Sequence, residues 1–369
     1  MRFSCEKAVL GEAVSVCAHA VSGKSSTQIL EGLLIQADGQ VTMAGYNYRL
    51  GIKRTFDASI YEAGSVVINA RLLSDIIRKM PDEIIEITCD DKLMITIQCG
   101  ASRFNIIGSP AAEYPELPEI DQGDGISLAC DLLKNMVQGT VFAVSDNENK
   151  PIHTGSLFEV AENSLTLVSV DGYRLAVRKE AVTALSEAPF KFVVPGDALR
   201  EIARILPDSD SPVQIFPDRK QALFEFEGTL VITRLLEGEF LNWRAAIPAD
   251  HPIRLQLNRV ELVSAIERVS LIISERLKNP VHCIFDGPIL QLQCTTAIGR
   301  SYDECTIPDC PEKIEIGFNN RYLLDALRAC PDEEFFLELK SGLSPCNIRP
   351  VEGEGFLYMV LPVRLKAGE

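Results

Sequence analysis

The sequence predicts an α+β protein of three tandem, similar domains, each with two helices packed on antiparallel sheets. The first observation behind this prediction is a helical segment that occurs three times with one pattern of apolar and charged residues. Each copy ends in Pro-Asp, and Pro81, Pro207 and Pro331 lie 126 and then 124 positions apart. A repeat this long corresponds to a whole domain rather than to a solenoid unit.

The first copy of the repeated segment shows why a helix is expected. Its apolar residues recur at the spacing of one helical face, and Pro81 ends the helix because proline has no N–H to donate. An acidic residue and an arginine three positions later keep their register in every copy, which alone contributes only about 0.2–0.5 kcal/mol per pair. The three pairs are Asp75 and Arg78, Glu201 and Arg204, and Asp325 and Arg328.

The second observation is the order of the elements around that helix. Each third begins with a strand, then a first helix, expected over 6–20, 130–144 and 260–273, and then a hairpin. Turn residues place the hairpins at Asp38-Gly39, Glu162-Asn163 and Asp286-Gly287. The triplet Tyr48-Arg49-Leu50 recurs 125 positions later as Tyr173-Arg174-Leu175, which gives further support to the repeat.

The domain boundaries follow from proline-rich stretches. The segment 114–118 contains two prolines and an acidic residue, which is typical of an exposed linker, and 247–252 is similar. We therefore expect domains over 1–121, 122–249 and 250–369.

Composition narrows the class of protein. Hydrophobic residues make up 46% of the chain and charged residues 24%, as in ordinary globular proteins. No apolar run approaches the roughly 20 residues of a membrane span, and the start lacks the pattern of a signal peptide. The eleven cysteines include no C-x-x-C and lie near no suitably spaced histidine. We expect a cytoplasmic protein with reduced thiols, without a metal, a cofactor or a membrane partner.

The charge of the chain has two aspects. The formal net charge of −16 argues against nucleic acid when taken alone, because phosphate binding requires lysine and arginine. The first repeated helix is instead basic, with Arg71, Arg78 and Lys79 against Asp75. If the repeated helices share one face, that face is basic within an acidic protein.

Motifs for catalysis are missing from the sequence. Gly23-Lys24-Ser25 resembles the end of a phosphate-binding loop, but Ala18 stands where that motif needs a glycine. The four histidines have no metal spacing, and no nucleophile has a recognisable base. Two alternatives to a DNA-bound protein remain open at this point: a hydrolase or transferase on duplicated domains, and a peptide-binding adaptor that never meets DNA.

The C-terminal segment 356–365 is strongly apolar. We expect a last sheet strand up to about Val360, and Pro362 belongs at an edge because it cannot donate to a ladder. An apolar edge next to a proline is a plausible rim for a peptide groove.

With these features in place, the chain resembles the bacterial sliding-clamp family, the beta subunits of the replicative DNA polymerase III. The resemblance covers essentially the whole length and depends on the threefold repeat and on the stretches 170–177, 317–325 and 358–365. It implies a head-to-tail homodimer whose six domains close a ring around double-stranded DNA. It also implies a non-catalytic processivity factor that tethers the polymerase.

The resemblance further implies two sets of functional residues. The residues expected to face DNA, without sequence preference, are Lys24, Arg71, Arg78, Asn147, Lys150 and Arg204. The positions expected to form a peptide groove are His153, Val170, Gly172, Tyr173, Arg174, Leu175, Leu241, Ala246, Leu277, Asn319, Tyr322, Leu343, Pro345, Met359, Val360, Leu361, Pro362, Val363 and Arg364.

The chemistry of the groove positions suits a short peptide. Leu175, Leu241, Val360 and Leu361 are expected to offer an apolar pocket, with Arg174 and Arg364 as polar groups on its rim. The implied partners of this groove are the polymerase III alpha subunit, the clamp loader, other polymerases and repair proteins, each through a short peptide motif.

Overall fold

The structure is a computed structural model that describes residues 1–23, 26–185, 188–248, 250–274 and 279–365. The chain forms two compact units, Met1–Leu133 with Glu201–Leu235 and Lys134–Arg200 with Leu236–Glu369. Strands predominate in both units. Among the described residues, no helix is long and apolar enough to cross a membrane.

The strands are numbered in chain order. They are β1 (Arg2–Glu6), β2 (Gly32–Asp38), β3 (Gln40–Tyr46), β4 (Leu50–Phe56), β5 (Ser59–Glu62), β6 (Gly64–Asn69), β7 (Ile84–Cys89), β8 (Met94–Cys99), β9 (Ser102–Ile107), β10 (Ile126–Ala129), β11 (Gly155–Ala161), β12 (Ser164–Val170), β13 (Arg174–Ala181), β14 (Thr183–Ala184), β15 (Phe190–Pro195), β16 (Pro212–Pro217), β17 (Gln221–Phe226), β18 (Thr229–Arg234), β19 (Ile253–Asn258), β20 (Val281–Thr296), β21 (Gly299–Phe318), β22 (Glu334–Leu339), β23 (Cys346–Pro350) and β24 (Phe356–Val360).

The helices follow the same numbering. They are α1 (Lys7–Ala18), α2 (Ala70–Lys79), α3 (Cys130–Gln138), α4 (Gly196–Ile205), α5 (Trp243–Ala246), α6 (Arg259–Ser270) and α7 (Asn320–Ala329). Short 3-10 turns occur at Gln28–Glu31, Ala111–Glu113, Val141–Ala143 and Pro151–Thr154.

In the first unit, two antiparallel sheets carry the fold. One sheet has the order β5-β1-β7-β8-β9, and the other contains the run β10-β16-β17-β18-β4-β3-β2-β6. The pairing of β18 with β4, for example Val231 opposite Ile52, joins strands from the first and second thirds of the chain. The second sheet therefore continues across the predicted boundary between two domains.

The second unit shows the same arrangement. Its eight-stranded sheet has the order β15-β11-β12-β13-β24-β23-β22-β19. The pairing of β13 with β24, with Leu175 opposite Met359, joins the second and last thirds of the chain. Strands β20 and β21 pair only with each other among the described residues.

Strand β20 doubles back on itself. Asn279 Nδ2, just before the strand, donates a 3.0 Å hydrogen bond to the carbonyl of Thr295, almost at its end. A straight strand of this length would separate the two by roughly 3.3 Å per residue, so the chain must reverse between them. Gly287 has φ +56°, which places the reversal at the predicted Asp286-Gly287 turn.

The repeated helices end where their prolines predict. α2, α4 and α7 stop at Lys79, Ile205 and Ala329, each two residues before its proline. Asn69 and Asn319 cap α2 and α7 through side-chain oxygens that accept backbone N–H bonds. The helices and sheets together confirm the α+β class with antiparallel sheets.

The first helix of the middle third is shorter than predicted. It was expected over 130–144, but α3 ends at Gln138. The hydroxyl of the buried Thr140 donates to the carbonyl of Met136 at 2.9 Å, and a 3-10 turn follows at Val141–Ala143. The Thr140 side chain thus satisfies a carbonyl at the helix end. The apolar residues after it, which had led us to expect a longer helix, belong to the 3-10 turn and pack from there.

The aligned triplets are out of register by one residue. Asn47 Oδ1 accepts from Arg49 N and Leu50 N, whereas Asp171 Oδ1 accepts from Tyr173 N and Arg174 N. The residue after each acceptor has positive φ, 66° at Tyr48 and 92° at Gly172. The two four-residue turns therefore match at a spacing of 124, and the shared letters at a spacing of 125 do not occupy equivalent positions.

The segment 114–118 is not an exposed linker. Tyr114 is only 6% exposed, and its hydroxyl donates to the carbonyl of Gly32 at 3.4 Å. Burial raises the pKa of this phenol well above its ordinary value. Leu117 packs beside Tyr114 and also beside Phe216. The prolines interrupt regular structure here without removing the segment from the core.

Candidate functional site

The groove positions that the structure describes all lie in the second unit, so this unit alone contains the candidate site. Leu277 lies outside the described residues. The remaining positions come from the turn Pro151–Thr154, strands β12, β13 and β24, helices α5 and α7, and the segments that connect them.

The floor of the site is one face of the eight-stranded sheet. Val170, Leu175 and Met359 are at most 6% exposed and belong to one apolar cluster with residues of β11, β13, β15 and β24. Leu175 and Met359 face each other across the β13–β24 pairing. This face is therefore a continuous apolar surface.

Val360 does not belong to this floor. Its side chain is fully buried in a different cluster, together with Leu323 and Leu327 of α7. Successive side chains of a strand point to opposite faces, so Met359 faces the floor and Val360 faces the core behind the sheet. The expectation that Val360 lines the apolar pocket is wrong for this reason.

One wall of the site is the segment 236–247, which packs against the floor cluster. Leu236, Phe240 and Trp243 pack on the apolar cluster from above. Trp243 Nε1 donates to Glu159 Oε2 at 3.3 Å, and Arg244 stacks on the tryptophan ring at 4.2 Å. These contacts fix the short helix α5 and leave Ala246 exposed on it.

The rim carries exposed apolar side chains. Tyr173 is 60% exposed, Leu241 42%, Leu343 79% and Val363 38%. Leu343 lies in a turn in which the N–H of Ser344 donates to the carbonyl of Ser341 at 3.2 Å. Gly342 holds this turn close to Glu315, because a Cβ there would stand 2.1 Å from the Glu315 carbonyl oxygen. Large apolar groups beside an apolar floor are what a site for an apolar peptide requires.

The C-terminal segment closes another side of the site. β24 ends at Val360, as predicted, and the N–H of Leu361 then donates to the carbonyl of Tyr173 at 2.8 Å. The N–H of Val363 donates to the carbonyl of Gly317 at 2.8 Å. Pro362 lies between the two donors, where its missing N–H costs no ladder bond.

Arg174 is not a rim group, contrary to the expectation from the sequence. Its side chain is 7% exposed, with Nε 2.9 Å from Asp171 Oδ2 and Nη1 2.6 Å from Asp325 Oδ2. Nη2 donates to the carbonyl of Phe142 at 2.6 Å, and the guanidinium lies 4.5 Å from the ring centre of Tyr322. A buried guanidinium with this many partners fixes structure, whereas Arg364 is exposed as expected.

The neighbours of Arg174 at the site also have structural partners. The Tyr173 ring stacks on Tyr322, with centroids 5.9 Å apart. Asn319 Oδ1 accepts from Arg321 N at 3.0 Å and Tyr322 N at 3.3 Å, so it caps α7. This cap and the acid Asp325 hold α7 beside the β12–β13 turn.

His153 lies at the edge of the floor. Its ring makes an edge-to-face contact with Phe240 at 5.5 Å, and burial together with the nearby charge of Lys150 lowers its pKa. His153 is therefore neutral at pH 7 and adds an aromatic surface to the site.

The described residues that are expected to face DNA are exposed. Arg71 and Arg78 lie on the exposed side of α2, and Arg204 lies on α4. Asn147 and Lys150 belong to an exposed turn in the second unit, where Asn147 Oδ1 accepts from Asn149 N. Lys24 lies outside the described residues.

Within the first unit, α1 connects α2 and α4. A Cβ at Gly11 of α1 would stand 3.7 Å from Ile77 Cγ2 of α2. At the end of α1, His19 Nδ1 lies 2.6 Å from Glu201 Oε2 of α4. The helices that carry Arg71, Arg78 and Arg204 are thus neighbours of one common helix. The sequence gives no signal for this link, because His19 and Glu201 lie 182 residues apart in the chain.

The described residues offer no group of three or more histidine, cysteine or acidic side chains that could hold a metal ion. The features that the site does have are those of a binding protein: an apolar floor, exposed apolar rim groups and a buried charge network.

Comparisons with known proteins agree with this class. Three family models match the chain in succession: the N-terminal domain of the DNA polymerase III beta subunit over residues 1–118, its central domain over 127–242 and its C-terminal domain over 244–364. The beta sliding clamp of Bacillus subtilis is 31% identical, over 99% of this chain and all of the relative. That of Staphylococcus epidermidis is 32% identical over 94% of each chain.

Solved structures of such proteins share the fold. The DNA polymerase sliding clamp of Bacillus subtilis matches with a TM-score of 0.95 and 31% identity, covering 99% of this chain and all of that one. The polymerase beta subunit of Streptococcus pyogenes matches with a TM-score of 0.93 and 25% identity over the same shares.

The chain therefore belongs to the DNA polymerase III beta subunit family, the bacterial beta sliding clamps. It is a sliding clamp, a non-catalytic processivity factor of DNA replication with the DNA clamp fold. The family assignment excludes the hydrolase or transferase alternative and favours the clamp over an adaptor without DNA.

Proposed function

We propose that two copies of this clamp join head to tail into a ring around duplex DNA, and that the groove in the second unit holds the polymerase. The groove is proposed to take a short, leucine-rich peptide from polymerases, the clamp loader and repair proteins. The site of action is proposed to be the cytoplasm, which is supported by the free, buried thiols of Cys5, Cys17 and Cys346.

The observation that carries the groove is the combination of floor and rim within one unit. Val170, Leu175 and Met359 form a buried apolar floor. Tyr173 and Leu343, predicted groove positions in the same unit, are 60% and 79% exposed. Covering the rim with a leucine side chain would remove apolar surface from water at about 25 cal/mol per Å².

A matched pair of variants tests the groove. The probe is a fluorescein-labelled, leucine-rich peptide from the C-terminus of a replicative polymerase, measured by fluorescence polarisation. Leu175→Ala with Leu361→Ala is expected to abolish binding because it removes floor and rim contacts together. Ile298→Ala, an 82% exposed apolar residue outside the groove, is the control. Retained affinity in the double variant contradicts the groove.

The proposal of a DNA ring is supported by charge. Arg71, Arg78 and Arg204 are exposed on helices of a protein whose net charge is −16. Contacts of this kind bind phosphate without reading sequence. A closed ring needs only weak contacts, because the topology retains the DNA.

The proposal that the ring encloses DNA is tested by comparing circular DNA with cut DNA. The protein is loaded on nicked circular DNA with a clamp loader, and the DNA is then cut at one site. We expect retention on the circle through gel filtration and rapid loss after cutting. An adaptor without DNA contact would not be retained on the circle. A protein bound directly to DNA sites would stay on the cut DNA as well.

The proposal of a homodimer is supported by sheet edges. β9 pairs only with β8 among the described residues, and Ile107 at its end is 78% exposed. The β20–β21 pair has no further partner strand among them, and Leu271 nearby in the chain is 83% exposed. Open edges with exposed apolar residues are suited to pairing with a second copy.

A further inference from the structure

The three repeated helices use one acidic position in two different ways. In two of them the acid pairs with the arginine three residues later, as the sequence suggests. These pairs are Asp75 with Arg78 in α2 and Glu201 with Arg204 in α4, each at 2.5 Å. In α7 the acid Asp325 instead reaches Arg174 of β13 at 2.6 Å, while Arg328 pairs with Glu267.

The ion pair with Asp325 is one of several contacts that surround the buried, positively charged side chain of Arg174. Arg174 also binds Asp171 and the carbonyl of Phe142, and it lies between the rings of Phe142 and Tyr322. Asp325 is 24% exposed and Asp171 is 11% exposed, so both carboxylates are largely shielded from water. A charge in such a place depends strongly on each partner.

The residue next to Arg174 connects this network to the groove rim. Tyr173 stacks on Tyr322, which lies about one helical turn before Asp325 on α7. The carbonyl of Tyr173 also accepts the N–H of Leu361. Moving Arg174 would therefore move both Tyr173 and the start of the C-terminal segment.

We propose that Asp325 is a positioning residue of the peptide groove, which acts through Arg174 to set the place of Tyr173 and Leu361 on the rim. The inference rests on the proposed groove and adds to it a residue that does not touch the peptide. Without the Asp325 carboxylate, the guanidinium keeps Asp171 and the Phe142 carbonyl but loses its ion pair with α7, and the turn 171–174 moves away from that helix.

The test uses the full chain and the polarisation assay with the fluorescein-labelled, leucine-rich peptide. Asp325→Asn removes the charge at constant size and is expected to weaken peptide binding about tenfold. Asp325→Glu keeps the carboxylate and is expected to recover most of the affinity. Asp75→Asn makes the same change at the equivalent position of α2 and is expected to leave affinity within about twofold. An Asp325→Asn variant with unchanged affinity overturns the proposal.

A second background separates positioning from general damage to the fold. If Asp325 acts through Arg174, then adding Asp325→Asn to Arg174→Gln causes no further loss of affinity. An equal tenfold loss in that background overturns the proposal, because Asp325 then acts by another route. If Asp325→Asn fails to fold, Asp325→Glu decides, since poor binding by a folded Glu variant with an intact carboxylate also contradicts it. Failure of the wild-type chain to bind the peptide would instead refute the groove itself.

Discussion

Gly317 is the residue at which the C-terminal segment touches strand β21. A Cβ there would stand 2.8 Å from the carbonyl oxygen of Val363 and 2.7 Å from Leu365 Cδ2. The first of these atoms is backbone, so the segment itself must move. We predict that Gly317→Ala weakens binding of the leucine-rich peptide about tenfold, roughly 1.4 kcal/mol, measured by polarisation.

The matching control for Gly317 is Gly123→Ala. A Cβ at Gly123 would meet nothing within 4 Å, and its backbone has no positive φ. It should bind the peptide like the wild type. Equal affinities for the two variants would show that the position of the 361–365 segment does not matter for the peptide.

His251 gives the stability of the clamp a dependence on pH. Burial lowers its pKa below the ordinary 6.5, and its Nε2 lies 3.2 Å from Asn347 Nδ2, which is fully buried. Well above pH 6.5 the ring is neutral in both states. As the pH falls below 6.5, the unfolded chain takes up the proton first, so the free energy of unfolding decreases.

We therefore predict that the urea concentration at the midpoint of unfolding decreases as the pH is lowered from 7 to 5. His251→Gln should reduce the slope of this dependence on pH. One group contributes at most about 1.4 kcal/mol per pH unit. His153, whose pKa is also lowered, adds in the same direction and accounts for part of the remainder. An unchanged slope in His251→Gln would mean that this histidine does not titrate differently on folding.

The sequence predicts a set of groove positions but not what each of their side chains contacts. Leu175 and Met359 lie on the floor because a strand alternates, and the same alternation turns Val360 away. One partner of Arg174 is Asp325, 151 residues away in the chain. Such long-range pairing cannot be deduced from residue spacing, since it depends on how strands and helices pack.

At the level of single elements, the hairpin between β11 and β12 contains a strained position. Glu162 has φ 51° and Asn163 has φ 58°, so both lie in the left-handed region. Asparagine tolerates this conformation better than glutamate. We predict that Glu162→Gly raises the free energy of unfolding by about 0.5–1 kcal/mol, measured by urea denaturation.

Glu237→Gly is the control for Glu162→Gly, and its expected effect on the free energy of unfolding has the opposite sign. Glu237 is exposed like Glu162 but has no positive φ. There glycine only adds freedom to the unfolded chain and should destabilise by about 0.4–1 kcal/mol. A loss of stability in both variants would show that the Glu162 turn stores no strain.

Helix ends were predictable where a proline marks them and less so elsewhere. The residues before Pro81, Pro207 and Pro331 end their helices because proline disfavours the helical conformation of its predecessor. The end of α3 depends instead on the hydroxyl of Thr140, a weaker signal within an apolar stretch. The alignment of Tyr48-Arg49-Leu50 with Tyr173-Arg174-Leu175 was wrong for a related reason. The two turns are equivalent at their side-chain acceptors, Asn47 and Asp171, and not at the residues of identical type.

For the whole molecule, the edge strand β9 gives a test of assembly. Ile107 is 78% exposed at this edge, so a charge there should oppose pairing with a second copy. We predict that Ile107→Asp shifts the mass in solution from twice the 40.7 kDa of the chain to the single value. Light scattering after gel filtration measures this mass.

Ile84→Asp is the control on the same sheet. Ile84 is also largely exposed, at 64%, but its strand β7 has neighbours on both sides. This variant should remain dimeric. Dimers in both variants would remove β9 from the proposed contact.

The threefold organisation was readable from the sequence because each module repeats its helix and its proline. The family assignment agrees with it, and the domain limits 1–121, 122–249 and 250–369 stay a prediction. The two compact units of the structure follow other limits. Strand pairing between modules, which produces those units, leaves no mark in the spacing of residues.

The β18–β4 and β13–β24 pairings have a practical consequence for anyone who wishes to cut the clamp into pieces. The repeated module is not a unit that can be isolated. Cutting the chain between repeats breaks a row of main-chain hydrogen bonds and exposes an unpaired strand edge, which is prone to aggregation. Fragments that separate β4 from β18 or β13 from β24 should aggregate.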